Sequence, residues 1–305
     1  MTTKLLASDL QFPEGPIAMP DGSIVLVEIK RGTLSRVWGD GRHEVIANLG
    51  GGPNGAAIGP DGACYVCNDG GFEWHEMGGL TIPGGKPANY SGGRIERVDL
   101  NTGKVDVLYT HVNGNPLIGP NDIVFDKEGG FWFTDHGKHE DRIQYRGGLY
   151  YGKIDGSSVK EVAFPILSAN GVGLSPDEKT VYVADTLSAR LFAFDITAPG
   201  EVAPPTGPGG PGRYVGAAPG HTFFDSLAVD ALGNICVATI LNGGITTFSP
   251  DGSSITHTPL DDLLVTNICF GGKDLKTAFI TLSSTGRLIS MDWPTAGLPL
   301  NFLNK

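Results

Sequence analysis

The chain has 305 residues, a formal net charge of −11, 40% hydrophobic residues, 46 glycines and 21 prolines. With no Lys/Arg cluster to offset that charge, nucleic acid is excluded as an expected partner, since the chain repels phosphate backbones. No apolar run reaches the length of a membrane span, so a membrane is not an expected partner either. Gly and Pro exceed one residue in five without a strict period or a long polar tract. They read as punctuation between many short strands, and the expected class is all-β. The opening Met1-Thr-Thr-Lys-Leu-Leu-Ala-Ser-Asp shows no basic stretch followed by an apolar one, so no signal peptide is expected. The four cysteines, Cys64, Cys67, Cys236 and Cys269, each lie in an apolar strand-like run. They read as reduced core thiols of a cytoplasmic protein.

The first apolar run, residues 5–12, has no hairpin before it. Six copies of one pattern then follow: a small polar or acidic residue, an apolar run, a turn rich in Asp and Gly, and a second apolar run. They begin as Glu14-Gly-Pro-Ile, Asn54-Gly-Ala-Ala, Asn121-Asp-Ile-Val, Asn170-Gly-Val-Gly, Asp225-Ser-Leu-Ala and Asn267-Ile-Cys-Phe. Each is a β-hairpin. After most come two more strand-like stretches, such as 33–38 and 43–47, or 93–98 and 105–109. Four strands per unit, at spacings of 40 to 67 residues, is the pattern of propeller blades. The expected architecture is a six-bladed β-propeller over residues 1–305, a single domain. Its ring is closed by the N-terminal run as outer strand of the last blade.

The opening positions are Glu14, Asn54, Asn121, Asn170, Asp225 and Asn267; the positions closing the same hairpins are Glu28, Asn68, Asp135, Asp185, Thr239 and Thr281. In an antiparallel hairpin these ends lie side by side. All twelve are expected at one end of the innermost strands, converging on the channel. Asn and Asp also cap turns at strand ends in any all-β protein, which accounts for one or two of them. It accounts poorly for six at one repeat position, and worst for Glu14. Carboxylates gathered away from water need a cation or a shared proton. Carboxylate and amide oxygens together suit a hard divalent metal: Ca²⁺ first, with Mg²⁺, Mn²⁺ or Zn²⁺ as alternatives.

Four phrases carry a resemblance: Phe12-Pro-Glu14-Gly-Pro, Pro120-Asn121-Asp-Ile-Val-Phe-Asp, Asn170-Gly-Val-Gly-Leu-Ser-Pro-Asp and Asp225-Ser-Leu-Ala-Val-Asp. In this order they resemble the senescence marker protein/gluconolactonase family, also called regucalcin-like, over nearly the whole chain. The resemblance implies metal-dependent hydrolysis of a lactone. It implies Glu14, Asn170 and Asp225 as metal ligands, Asn121 as a further ligand or substrate contact, and Asp225 as general base. Asn54, Trp74, His75 and His136 are further candidates for contacting a small-molecule substrate. Sugar-lactone members carry an Arg two residues before the matching Asn; here that position is Gly119, between Ile118 and Pro120. The expected substrate is therefore a lactone or similar cyclic ester less polar than a sugar lactone.

Segment 69–91 holds Phe72, Trp74, His75, Met77 and Tyr90 among many glycines and leaves the same end of its blade as the polar ring. It is either a lid or pocket wall, or a plain excursion between strands. His136 and His139 follow Asp135 at that end, facing the pocket or the surface. Three signals are discounted. The 207–212 stretch fits Gly-x-Gly-x-x-Gly but has prolines and no following helix. Cys64 and Cys67, three apart on a strand, point to opposite faces. Asn89-Tyr-Ser91 is a glycosylation sequon that a cytoplasmic chain does not use. Two rivals stay open: a phosphotriesterase-like hydrolase or hydratase/isomerase on the same metal site, and a non-enzymatic propeller that binds without catalysis.

Overall fold

The structure, a computed structural model, describes residues 2–205 and 210–305. Residues 207–209 of the glycine-rich 207–212 stretch lie outside the described ones. The described residues form six antiparallel blade sheets, each built outward from an inner strand, and three two-stranded hairpins beside them. The inner strands are Pro13–Ala18, Pro53–Ile58, Pro120–Phe125, Ala169–Leu174, Phe223–Val229 and Val265–Gly271. Each packs beside the inner strand of the next blade, and the sixth packs beside the first, so the ring is closed and blade 2 faces blade 5 across the axis. Blade 6 takes its outer strand from the N-terminus: Thr3–Ala7 pairs antiparallel with Arg287–Asp292. That strand lies earlier than the 5–12 run expected from hydrophobicity. Asp9 and Phe12 adopt φ of 61° and 57°, turning the chain inward and burying Phe12. No helix of the described residues is long and apolar enough to cross a membrane.

The core divides into six clusters, one at each blade interface. Alternation along each strand produces this, because successive side chains point to opposite faces and each face meets a different neighbour. Cys64 packs in the core shared by blades 1 and 2, and Cys67 in the core shared by blades 2 and 3. The two thiols thus point apart as their spacing predicts, and burial pushes Cys64 up to about 12. Fully burying one Val, Leu, Ile or Phe contributes about 1.5–3 kcal/mol.

The inner strands share a second feature. In five blades the ladder slips just past its first pairs: between Glu14 and Ile17, Pro53 and Ala56, Pro120 and Ile123, Ala169 and Val172, and Phe224 and Leu227. The polar opening residue sits at each slip. A bulge bends the strand and re-aims the side chain there. It also crowds the axis. A Cβ on Gly15 would lie 2.6 Å from the Asn54 carbonyl oxygen, and one on Gly55 2.5 Å from that of Asn121. Glycine after the polar residue is what lets neighbouring inner strands approach so closely.

At the far end of the channel, the chain after the last strand folds across the opening. Leu298 N donates to Val229 O at 3.0 Å, Asn301 Nδ2 to Phe125 O at 3.1 Å and Glu178 Oε1 at 3.0 Å, and Lys305 Nζ to Glu178 at 2.9 Å.

Candidate functional site

The near end of the channel opens into a cavity of about 330 Å³. Its floor receives one polar side chain from every blade: Glu14, Asn54, Asn121, Asn170, Asp225 and Thr266. The walls are mostly apolar, with Phe12, Ile29, Phe72, Ile82, Leu187, Phe223, Ile240 and Leu264, and one flank carries His136, Lys138, His139 and Gln144. Two hairpins rise over this end. Trp74–Met77 pairs with Leu80–Pro83, and Lys138–Glu140 with Ile143–Tyr145. The first reaches blade 6, where Thr81 N donates to Ser284 O at 2.9 Å. The second touches the first through Lys86 N to His139 O at 3.0 Å and Lys86 Nζ to Glu140 at 2.8 Å. Segment 69–91 is therefore a wall of the cavity.

Three floor oxygens are buried without a hydrogen-bond partner among the described residues: Glu14 Oε1, Asn121 Oδ1 and Asn170 Oδ1. Two of their companion atoms are engaged, which fixes how those groups are turned. Glu14 Oε2 accepts from Asn267 Nδ2 at 2.7 Å, and Asn170 Nδ2 donates to Thr186 Oγ1 at 3.0 Å. Buried polar atoms are almost always paired, so three orphaned oxygens on one floor call for donors or a cation from outside the chain. The carboxylates agree. Burial pushes Glu14 up to about 7, against the opposing bond from Asn267. Asp122, next to Asn121, is pushed to about 8 by burial and then by the charge of Glu14, and Asp225 is raised well above the usual range for the same two reasons. A cation among them would reverse all three shifts. Among the described residues no group of three or more His, Cys, Asp and Glu is spaced to hold a metal. A cation on this floor must therefore take amide oxygens beside carboxylates, a donor set for a hard ion such as Ca²⁺.

Of the residues singled out from sequence, Glu14, Asn54, Asn121, Asn170, Asp225 and His136 meet at this cavity, and His139 stands at its exposed rim. His136 keeps Nδ1 buried and without a partner among the described residues, and burial followed by the charge of Lys138 pulls it down to about 4, so it is neutral at pH 7. Trp74 and His75 do not line the cavity. Trp74 lies behind the wall, its ring 5.1 Å from that of Phe12 and 6.1 Å from that of Phe72, while His75 is exposed. The closing positions do not line it either. Asn68 Oδ1 accepts from Gly52 N at 2.9 Å, and Asp135 from Ile118 N and Gly119 N at 2.8 Å each. These side chains tie down the loop entering each inner strand.

Blade 6 also departs from expectation. Its ladder slips between Val265 and Asn267, so Thr266 takes the floor position and Asn267 braces Glu14 instead. The matching closing residue is Leu282, paired with Val265, rather than Thr281. Asp122 and Lys138 were not picked out from sequence. Asp122 was detectable as a second acid beside a floor position; Lys138 left no such trace.

A closed six-bladed ring with one polar side chain per blade converging on a pocket defines the class: a propeller with an axial oxygen-donor site. The family model for the SMP-30/gluconolactonase/LRE-like region matches residues 12–284, and the chain belongs to that family. It is 30% identical over 236 residues to lactonase drp35 of Staphylococcus saprophyticus, covering 77% of this chain and 65% of that protein. With lactonase drp35 of Staphylococcus haemolyticus the identity is 30% over 244 residues, covering 79% and 67%. The chain thus spans about two thirds of the length of these relatives. The fold superposes on a gluconolactonase from Xanthomonas campestris with a TM-score of 0.74 at 21% identity, covering 96% and 89% of the two chains. It superposes on a calcium-binding regucalcin from Agrobacterium tumefaciens with a TM-score of 0.72 at 18% identity, covering 97% and 95%.

Proposed function

We propose that this protein is a metal-dependent hydrolase that opens a lactone or similar cyclic ester to a hydroxy acid. The observation carrying this reading is the trio of buried, unpartnered oxygens beside Asp225 on the floor of a mostly apolar cavity. Glu14, Asn121, Asn170 and Asp225 would hold the ion, with Ca²⁺ best suited to their oxygens. When bound, the ion supplies Lewis acidity toward the lactone carbonyl and a lowered pKa for water beside it. Asp225 takes the proton of the attacking water. The apolar walls desolvate and hold the ring, and His136, neutral at pH 7, offers a hydrogen bond without charge. The lactonase and gluconolactonase names of the relatives support the same chemistry, as does the calcium-binding description of the regucalcin neighbour.

The walls also support a substrate less polar than a sugar lactone. A Cβ on Gly119 would sit 2.5 Å from the Gly137 carbonyl oxygen, so an arginine there would displace the Lys138–Glu140 hairpin. The test is acid release from γ- and δ-lactones of increasing alkyl length, with aldonolactones and phosphotriesters as comparison arms. Chelated protein is assayed with and without Ca²⁺, Mg²⁺, Mn²⁺ and Zn²⁺. Metal-restored turnover that falls about 10²–10⁴-fold in Asp225→Asn is the expected result. Tight metal binding with no lactone turnover would overturn the reaction while leaving the metal site standing.

A further inference from the structure

Among the described residues, Lys138 is the one lysine or arginine on the cavity wall. Its side chain is 1% exposed. Nζ lies 3.2 Å from Asp69 Oδ1 and 3.5 Å above the centre of the Phe72 ring. Asp69 is itself held, with Oδ1 accepting from Gly71 N at 2.7 Å and Oδ2 3.4 Å from Asn54 Nδ2. An ammonium carries three donors, and Asp69 Oδ1 is its one hydrogen-bond acceptor among the described residues. Burying such a charge costs stability unless its donors are used.

The position is informative. Lys138 begins the hairpin of blade 3, but its ammonium rests on Asp69 and Phe72, which follow the second strand of blade 2. Blade 2 faces blade 5 across the axis, and blade 5 carries Asp225. A carboxylate and an ammonium therefore flank the cavity from opposite sides. Ester cleavage needs that pair, a base for the incoming water and an acid for the outgoing oxygen.

We propose that Lys138 is the general acid that protonates the ring oxygen as the lactone opens. This rests on the lactone-hydrolase reading above. Water adds to the carbonyl carbon as Asp225 takes its proton. The bond from that carbon to the ring oxygen then breaks, its electron pair stays on the oxygen, and a proton moves there from Nζ. The products are the hydroxyl and carboxyl of one hydroxy acid, and the Lys138 amine recovers the proton taken by Asp225 through solvent. Burial lowers the Lys138 pKa, opposed by Asp69 and Asp135, which makes it a stronger acid than an exposed lysine. His136 cannot take this role at pH 7, because it is already deprotonated.

The test compares a δ-lactone, whose alkoxide must be protonated, with the aryl ester of a similar acyl chain, whose phenolate leaves unaided. Both are assayed with Ca²⁺-loaded wild type, Lys138→Met and Lys138→Arg. In Lys138→Met, lactone kcat should fall about 100-fold or more while aryl-ester kcat stays within about 3-fold, which also reports an intact fold. Arginine keeps the charge but not a transferable proton, so Lys138→Arg should share the lactone defect. Equal losses on both substrates, a change in KM alone, or lactone turnover restored by arginine would each overturn the proposal. Wild-type protein that turns over neither substrate with any metal would overturn the hydrolase reading, and this proposal with it.

Discussion

The two ends of the channel are built from the same six inner strands and are solved in opposite ways. At the far end, Pro16, Ile123, Val124 and Phe270 meet Leu298, Pro299 and Leu300, and the polar groups that arrive there are paired: Asn301 donates to Phe125 and Glu178, and Lys305 to Glu178. At the near end, Glu14, Asn121 and Asn170 each leave a buried oxygen without a partner among the described residues. Burial raises Glu14, Asp122 and Asp225, and the charge of Glu14 adds to the shift of the last two. Stability alone would satisfy both ends. The near end carries an electrostatic cost that a bound cation or a proton would remove, as sites shaped for function do.

The sharpest way to break this contrast is Glu14→Gln. Removing an anionic ligand should lower Ca²⁺ affinity about 100-fold or more, since even residues outside the ligand shell cost 10–100-fold. In chelator at alkaline pH the same variant should melt above wild type, because an uncompensated buried carboxylate has gone. Calorimetry with and without Ca²⁺ checks both. A variant that melts lower in chelator would mean that the near end is built for stability after all.

The pH dependence of the metal-free protein comes next. Glu14 is raised from 4.5 to about 7 and Asp122 from 3.8 to about 8, so between those limits the folded state binds more protons than the unfolded one. The slope of stability against pH is then negative. The contribution is fully present below the unfolded pKa values and is lost as pH rises through the folded ones. Melting temperature in chelator should fall between about pH 5 and pH 9, and saturating Ca²⁺ should flatten the curve. A curve unchanged by Ca²⁺ would place the ion elsewhere.

Most of the fold and five of the six floor positions were legible in the sequence, because a propeller repeats one physical problem six times. Each inner strand needs a polar residue, then a residue that tolerates crowding, then alternating apolar ones, and Glu14-Gly15, Asn54-Gly55 and Asn170-Gly171 display that order plainly. Blade 6 misleads because its bulge is shorter. The conspicuous amide, Asn267, falls one place past the slip, and the functional position holds an ordinary-looking threonine, Thr266. Trp74 and His75 mislead because a glycine-rich hairpin announces aromatic content but not which ring ends up behind which. Lys138 was hidden for another reason. Its partners Asp69 and Phe72 stand on another blade, Asp69 being 69 residues away, and nothing local distinguishes a lysine about to be buried from one in solvent.

The smallest effect tests the far end. Asn301 Nδ2 bridges Phe125 O and Glu178 Oε1, and Glu178 also takes Lys305 and the Lys127 N–H. Asn301→Ala removes two of these bonds but leaves Glu178 its other donors, so the loss should stay at about 2 kcal/mol in denaturant unfolding, that of two typical net hydrogen bonds. Lactone turnover and Ca²⁺ affinity should not change, since Phe125 ends the strand whose other end carries Asn121 and the intervening ladder is regular from Ile123 onward. If turnover fell with the stability, the strand would be transmitting strain from one end to the other. The two ends would then have to be treated as one mechanical unit.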